Sequence, residues 1–285
     1  MITTNPSIHK DKQSGNELNE MFQETSALTW RLFIQLIRRP STLFAGILQP
    51  LIWLLLFAAL FSKAPIDFLP GGTDSYGEFL GAGLIVFTAF SGALNAGLPL
   101  MFDREFGFLN RLLVAPLTSR SSIVISSVIY ITSISLLQSF AIMATSALLG
   151  YGWPSLEGFL LIAITLLLLV FAITGLSLGL AFVLPGHIEL IAIIFIVNLP
   201  VLFASTALAP IAFMPEWLGW IASINPLTFA IEPIRMSYHN SVDLSEVLIN
   251  APYGDINGFY CLAILFILTV GLFFLIRPLL NRKLA

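Results

Sequence analysis

Long apolar runs alternate with short polar segments along the chain. Six runs contain no Asp, Glu, Lys or Arg, and they cover residues 40–62, 79–102, 121–156, 158–188, 190–215 and 256–276. About 20 apolar residues suffice for one helical crossing of a membrane. The run of 36 residues is too short for two crossings and a turn. The pattern therefore predicts an all-α polytopic membrane protein with six transmembrane helices, at about residues 40–62, 79–102, 121–149, 158–184, 188–208 and 256–276.

The segment before the first run is polar and then amphipathic. Residues 1–17 are typical of a flexible polar tail, and residues 18–285 form a single transmembrane domain. From Leu18 onward, apolar residues recur every three or four positions, while Glu17, Glu20 and Glu24 occupy another side. This pattern predicts an N-terminal amphipathic helix in the headgroup region. The alternative is that these residues are the soluble first turns of the first span.

The segment at about residues 209–240 is half apolar but contains Pro210, Pro215, Pro226 and Pro233. Proline at these intervals prevents a continuous seventh span. Short re-entrant helices on the outer side, before the last span, fit the pattern better. Arg235 in this segment has three possible partners: lipid headgroups, Glu232 and Glu216.

The distribution of Lys and Arg predicts the orientation. With the N-terminus inside, eleven of the thirteen Lys and Arg residues lie on inner segments, and only Lys63 and Arg235 lie on outer ones. Cytoplasmic loops are enriched in Lys and Arg. Both termini and the polar segment 103–120 are therefore expected to be cytoplasmic.

Composition excludes several classes of function. The chain is 57% hydrophobic and 10% charged, and its net charge of −3 gives no reason to expect nucleic acid as a partner. The sequence contains no G-x-x-x-x-G-K-[ST] or H-E-x-x-H motif, and its single Cys261 excludes a cysteine metal cluster. Ion-driven carriers normally keep acids or bases within the membrane, and the predicted spans hold only Glu189. The chain is expected to bind no metal or cofactor, to lack enzymatic activity, and to need an external source of energy.

The stretch 103–120 is the only strongly mixed-charge segment between two long apolar runs, with sequence D-R-E-F-G-F-L-N-R-L-L-V-A-P-L-T-S-R. Asp103 is a suitable helix N-cap, and Glu105 is favourable near the positive end of a helix. Phe106, Leu109 and Leu113 are spaced to share one helix face. One hypothesis is a helix that a soluble partner pushes. The alternative is a solvated loop whose charges only fix the topology.

This stretch resembles the D-x-E-x-G-x-x-x-x-L-L-x-x-P signature of type-2 ABC transporter permeases, the membrane subunits of daunorubicin-resistance and nodulation-factor exporters. The amphipathic N-terminal helix, the six spans and the outer M-P-x-W-L…N-P-L-T…R segment agree with that family. The resemblance implies a cytoplasmic coupling helix at about residues 103–116 that docks on a separate ABC ATPase subunit. The implied coupling residues are Asp103, Arg104, Glu105, Gly107, Arg111, Leu112, Leu113 and Pro116. ATP and Mg²⁺ would be held by that subunit.

In the family, the second and fifth spans line a cavity between two permease subunits. The matching candidates for a substrate pathway are Phe90, Asn95, Asn198 and Phe203. The alternative for the two asparagines is hydrogen bonding between helices. The resemblance further implies a second permease copy or homologue as partner, lipid around both, and the plasma (inner) membrane of a prokaryote in preference to a plastid membrane.

The predicted function is ATP-driven export of an amphipathic, drug-like or lipid-like substrate. Polysaccharide or glycolipid export is the alternative within the family. Outside transport, the alternatives are a non-transporting membrane scaffold and a membrane-embedded enzyme. The enzyme would depend on the few polar groups, such as His187, Glu189 and His239.

Overall fold

A computed structural model of the chain describes residues 6–63, 75–109, 121–238 and 242–284. The first half contains an N-terminal helix followed by the first membrane helices, α1 Pro6–Arg38, α2 Ser41–Leu60, α3 Tyr76–Leu94, α4 Gly97–Glu105 and α5 Ser121–Leu148. The second half contains α6 Leu156–Val183, α7 His187–Phe203, α8 Glu216–Ile224, α9 Pro226–Met236 and α10 Gly258–Leu284. The protein is thus an all-α polytopic membrane protein.

Among the described residues, five helical segments are long and apolar enough to cross a membrane. They are Leu43–Leu60, Tyr76–Glu105, Ser121–Leu148, Leu156–Val183 and Gly258–Ile276. α7 is apolar but has only 17 residues. It contains Pro200, which has no N–H for a helical hydrogen bond, and it ends at Phe203 instead of near residue 208. The count of six spans stays a prediction.

α3 lies at the centre of the bundle, with almost all of its residues buried. It packs mainly against α5, α2 and α6, while α6 packs closely against α10. A Cβ atom at Gly179 of α6 would lie only 3.1 Å from Ile276 of α10, so a small residue there lets these two helices approach. α2 and α10 expose most of their apolar side chains on the outside of the bundle, as helices facing lipid do.

The N-terminal helix begins at Pro6, so the predicted start at Leu18 is too late. α1 packs along α5, with the Phe33 and Tyr130 rings edge to face at 5.3 Å. Phe22, Trp30 and Ile37 are exposed on the helix surface, which suits an amphipathic helix beside a membrane.

The proline-broken outer segment forms a 3-10 turn at Ile211–Phe213, then α8 and α9. An antiparallel hairpin of β1 Val247–Ala251 and β2 Gly254–Asn257 follows and leads into α10. The sequence analysis did not predict this hairpin. Gly254, the first residue of β2, has φ +139°, a conformation that favours glycine.

Candidate functional site

Three consecutive charged residues, Asp103, Arg104 and Glu105, end α4, and each binds a different helix of the same chain. We call these three residues the hub. The predicted helix starting at Asp103 is therefore wrong, since these residues close a helix instead of opening one. Gly107 has φ +74°, and this left-handed conformation just after Phe106 is a common way to terminate a helix.

Asp103 connects the hub to the N-terminal helix. Arg31, in the second half of α1, donates from Nη2 to Asp103 Oδ2 at 2.6 Å, and both side chains are about one quarter exposed. The Arg31 guanidinium also lies over the Phe108 ring, 4.3 Å from its centroid. A cation stacked on an aromatic face adds to the attraction of the ion pair. Sequence analysis missed Arg31 as a partner, although an unmatched arginine on an amphipathic helix was a usable signal.

Arg104 binds the last turn of α6. Its Nη1 donates to the carbonyl of Ala181 at 2.7 Å, and its Nη2 donates to the carbonyls of Leu184 at 2.5 Å and Pro185 at 2.8 Å. The last carbonyls of a helix have no partner within that helix and carry partial negative charge. The planar guanidinium satisfies three carbonyls at this turn, so Arg104 fixes the end of α6 relative to α4.

Glu105 binds the first turn of the next helix. Its Oε1 accepts the backbone N–H of His187 at 2.7 Å, and its Oε2 contacts Nδ1 of the same residue. His187 is the first residue of α7, where free N–H groups and the helix dipole attract a carboxylate. The His187 ring also lies 5.1 Å from the Phe102 ring. Arg104 and Glu105 thus hold the two helix ends that flank a single turn.

That turn requires a residue without a side chain. A Cβ atom at Gly186 would lie 2.7 Å from Glu105 Oε1 and 3.0 Å from Glu189 Oε2. Both distances are shorter than a normal contact. Gly186 therefore lets the Glu105 carboxylate reach the start of α7.

α4, which carries the hub, is separated from α3 by a break in the middle of the predicted second span. Pro99 lies in the first turn of α4. It has no N–H to donate to the Asn95 carbonyl, and its ring clashes with that carbonyl in a regular α-helix, so α3 cannot continue unbroken into α4. Ser177 of α6 bridges the break, because its Oγ donates to the carbonyl of Leu94 at 2.6 Å and accepts the N–H of Gly97 at 2.9 Å. The predicted span over 79–102 lies within one candidate crossing, Tyr76–Glu105, whose helix is interrupted at residues 95–96.

Most of the other predicted coupling residues lie in a part of the chain that the structure does not describe. Arg111, Leu112, Leu113 and Pro116 lie outside the described residues, and their roles stay predictions. Phe106 and Leu109 do not share a face, because Phe106 is 77% exposed in the turn while Leu109 is 4% exposed. The charged groups of the hub are occupied by their own chain. Phe106 is therefore the exposed apolar side chain next to the hub.

The four predicted substrate-pathway residues differ in their surroundings, and the two asparagines both hydrogen-bond to Ser91. Phe90 is buried in the core and Phe203 is 55% exposed. Asn95 donates to the carbonyl of Ser91 at 2.7 Å within its own helix. Asn198 of α7 donates to the Ser91 hydroxyl at 3.4 Å, which is a contact between the second and fifth predicted spans. The Asn198 contact agrees with the alternative of hydrogen bonding between helices, whereas the Asn95 bond joins no second helix.

Comparison with known proteins agrees with the fold. The ABC-2 type transporter family matches residues 23–238, which include the second half of α1, the hub and α9. The chain belongs to the ABC-2 type transporter family. A protein of Porphyra purpurea named "Putative transport permease ycf38" is 51% identical over 266 residues, covering 93% of this chain and 91% of the relative.

Two further relatives match over three quarters or more of their length. A protein of the same name from Cyanophora paradoxa is 49% identical over 275 residues, covering 96% of this chain and 94% of the relative. The daunorubicin resistance ABC transporter permease protein DrrB1 of Streptomyces coeruleorubidus is 26% identical, covering 76% of each chain. This ABC-2 protein is accordingly a membrane permease of an ABC transporter, a transport component whose family in general works with an ABC ATPase.

Within the described part of the ABC-2 permease, no group of three or more His, Cys, Asp or Glu side chains is arranged to hold a metal ion. His187 and Glu105 meet at the surface of the helix bundle, and each is partly exposed. The chemistry that these residues offer is ion pairing and helix capping. The site is therefore suited to transmitting force between helices.

Proposed function

We propose that this protein is the transmembrane subunit of an ATP-driven ABC exporter, and that the hub connects the movement of a separate ATPase subunit to the spans. The observation that carries the proposal is the arrangement of Asp103, Arg104 and Glu105. Three adjacent side chains join the end of α4 to α1, α6 and α7. A displacement at this one point reaches four helices at once.

The bonds of the hub are suited to transmission because they are charge-assisted and act on backbone groups. Such bonds are shorter and stronger than bonds between neutral groups. Arg104 contacts three carbonyls, and Glu105 accepts a backbone N–H. Backbone groups cannot rotate away as side chains do. A shift of α4 is therefore passed to α6 and α7 instead of being absorbed by side-chain movement.

The break between α3 and α4 gives this shift a place to begin. α3 is buried along almost its whole length, whereas α4 is a separate helix that leaves it at Asn95–Ala96. Ser177 holds both edges of the break through one hydroxyl. Breaks of this kind act as hinges when the two parts of a helix change angle. We infer that α4 tilts about this point when the partner pushes the segment after Gly107.

The proposed cargo is an amphipathic, drug-like or lipid-like molecule. The two sides of α7 support this assignment. Phe195, Ile196 and Phe203 expose apolar surface, while Asn198 supplies a polar group beside Ser91. Export of a polysaccharide or glycolipid is the alternative. Stimulation of ATP hydrolysis by a panel of amphipathic drugs, phospholipids and oligosaccharides distinguishes the two.

The proposed assembly contains a second permease copy or homologue and two ATPase subunits, which hold ATP and Mg²⁺. The proposed location is the plasma membrane of a prokaryote. A plastid membrane is the alternative, and the similarity to algal proteins supports it. Fractionation of the source cells, with detection of the tagged chain, separates these locations.

The proposal is tested by purifying the tagged chain from detergent-solubilised membranes and measuring the ATPase activity that accompanies it. Phe106→Glu places a charge on the exposed residue next to the hub. Phe213→Glu makes the same change on an exposed residue of the outer segment and serves as the control. Loss of the ATPase from Phe106→Glu alone supports the proposal. If folded wild-type protein brings no ATPase with it, the transporter function is refuted and a scaffold function takes its place.

A further inference from the structure

At the end of the bundle opposite the hub, α9 binds the backbone of the chain that ends α7. Asn225 is the N-cap residue of α9, Pro226, Leu227 and Thr228 form its first turn, and Arg235 lies in its last turn. We propose that Asn225, Thr228 and Arg235, which we call the latch, are positioning residues of the transport cycle that make α8 and α9 follow the movement of α7. This inference rests on the proposed function, because it concerns the same movement after it leaves the hub.

Asn225 uses both ends of its side-chain amide. Its Oδ1 accepts the N–H of Leu227 at 2.9 Å and so caps the start of α9. Its Nδ2 donates to the carbonyls of Val201 at 2.7 Å and Ala204 at 2.6 Å. These carbonyls lie at the end of α7, where no further helical turn satisfies them. A single side chain therefore joins the end of α7 to the beginning of α9.

Two more residues of α9 take both backbone groups of Thr206. The Thr206 N–H donates to Thr228 Oγ1 at 3.3 Å, and Arg235 Nη2 donates to the Thr206 carbonyl at 2.9 Å. Thr228 and Arg235 are 0% and 4% exposed. Together with Asn225, they fix the segment after α7 at several backbone atoms, and buried bonds of this kind are costly to leave unmade.

Arg235 is held in one orientation by its own surroundings. Its Nη1 donates to Glu232 Oε1 at 2.5 Å, and its guanidinium lies 3.8 Å from the centroid of the Phe79 ring. Of the three partners considered for Arg235 from the sequence, Glu232 is the one observed. Its burial rules out a position among the lipid headgroups. Removing one partner of a buried ion pair is strongly unfavourable. The pair therefore fixes the direction in which Arg235 reaches the Thr206 carbonyl.

α7 is held at both ends by side chains that hydrogen-bond to its backbone, and between these ends it exposes several apolar side chains. Its first residue, His187, is held by Glu105 of the hub, and its last turn is held by the latch. Between these points Phe195, Ile196 and Leu199 face outward. A helix of 17 residues is about 26 Å long at 1.5 Å per residue. A rigid helix held at both ends transmits displacement along its length, and this is the task we assign to α7.

The inference is tested with a variant that cuts the latch and spares the helix cap. Asn225→Ser retains an oxygen able to cap α9, but its hydroxyl is too short to reach both carbonyls of α7. Thr228→Val removes the hydroxyl at nearly constant shape. The matched control combines Asn257→Ser with Thr269→Val. Asn257 caps Tyr260 of α10, and Thr269 bonds to Leu168, so both lie away from α7.

Two pairs of spin labels report the two ends of the bundle. Ile37 and Ile188 are exposed near the hub, and Leu60 and Trp217 are exposed at the opposite end. Cys261 is buried, which restricts labelling to the introduced cysteines. The distance in each pair is measured in the full chain by pulsed electron resonance, first with the intact hub and then with Glu105→Gln. The same distances are measured in the ATPase complex with and without trapped Mg-ATP.

In the wild type, both perturbations are expected to move both pairs by about 1–2 Å, the usual shift of a helix at a packed interface. In the latch variant, the pair near the hub still moves and the opposite pair keeps its resting distance. The matched control behaves as the wild type does. If the double variant does not fold, Thr228→Val alone gives the same comparison with a smaller effect.

The inference is overturned if the opposite pair moves equally in the latch variant and the wild type, or if Glu105→Gln moves only the pair near the hub in the wild type. A purely structural latch would lower stability and leave the coupled movement intact. If Glu105→Gln changes the distance in both label pairs while trapped nucleotide changes neither, the inference about the latch is supported and the proposed ATP-driven function is refuted. The two proposals are thereby separated.

Discussion

Replacement of Arg104 by Met keeps most of the length of the side chain and removes its charge and all donors. In the structure, Arg104 donates to three carbonyls at the end of α6, and these carbonyls lose their partner in the variant. A hydrogen bond to a charged group contributes about 1.5–3 kcal/mol. Counting the bonds to Ala181 and Leu184 at the lower value, and neglecting the exposed bond to Pro185, gives a loss of about 3 kcal/mol.

Arg104→Lys keeps the charge, but one ammonium group cannot reproduce the planar fork that meets several carbonyls. We expect it to lose about 1–2 kcal/mol, because attraction to the helix end persists. The assay is reversible unfolding of the purified protein in mixed micelles, from which the free energy of unfolding is obtained. Lys63→Met removes an exposed cation at the other end of the bundle and should change this free energy by less than about 0.5 kcal/mol.

The same variants are also tested for their effect on ATP hydrolysis. Since Arg104 fixes α6 relative to α4, its loss should reduce the stimulation of ATP hydrolysis in the reconstituted complex, even at temperatures where the variant is folded. The reasoning about the carbonyls of α6 would be refuted if the Arg104→Met protein were as stable as the wild type. It would also be refuted if Arg104→Lys were less stable than Arg104→Met.

Further predictions concern small residues at close contacts. Gly83→Ala places a Cβ 2.6 Å from the carbonyl oxygen of Ala207, a backbone atom, and should cost about 1–3 kcal/mol. Gly271→Ala meets nothing within 4 Å and should not destabilise α10. Ser177→Val leaves two backbone groups at the α3–α4 break without their partner and should cost about 2 kcal/mol. Gly186→Ala should displace the hub carboxylate from α7 and reduce the stimulation of ATP hydrolysis with little change in stability.

Mixed-micelle unfolding measures the first three changes, and ATP hydrolysis measures the fourth. Equal stability of the two Gly→Ala variants contradicts the close contact between α3 and Ala207. A Ser177→Val protein that unfolds like an exposed Ser133→Ala control contradicts the bridging role of Ser177. Normal stimulation in Gly186→Ala shows that the carboxylate does not need its position at the turn.

The helical class and most helix positions could be predicted from the sequence because apolar runs of membrane length leave few other structures. The break at residues 95–96 was missed, although Pro99 was visible in the run. A proline is tolerated within many membrane helices. Ser177 of α6 satisfies the Leu94 carbonyl and the Gly97 N–H at this point, and a contact of this kind between distant residues leaves no local signal. The β-hairpin was missed because its strands are short and their pattern is weak.

The charged residues of the site were identified from the sequence, but their partners were not. Asp103, Arg104 and Glu105 were taken as groups for an external partner, whereas they bind Arg31, the end of α6 and His187. These contacts join positions more than 70 residues apart, which local patterns do not connect. The motif D-R-E-F-G also permits a helix end, because glycine after the last turn is typical of one. Gly107 is therefore the signal in the sequence that indicates the end of this helix.

The most direct test of the central claim exchanges the charges of Arg31 and Asp103. The chain is reconstituted in lipid nanodiscs with the ATPase that accompanies it, and ATP hydrolysis is measured with and without the permease. We expect Arg31→Asp and Asp103→Arg each to abolish most of the stimulation by the permease, because like charges then face each other at a 2.6 Å contact. The double exchange should restore a large part of it. Stimulation that is unchanged in both single variants, or absent from the wild type, would contradict the claim that the hub transmits the work of an ATPase.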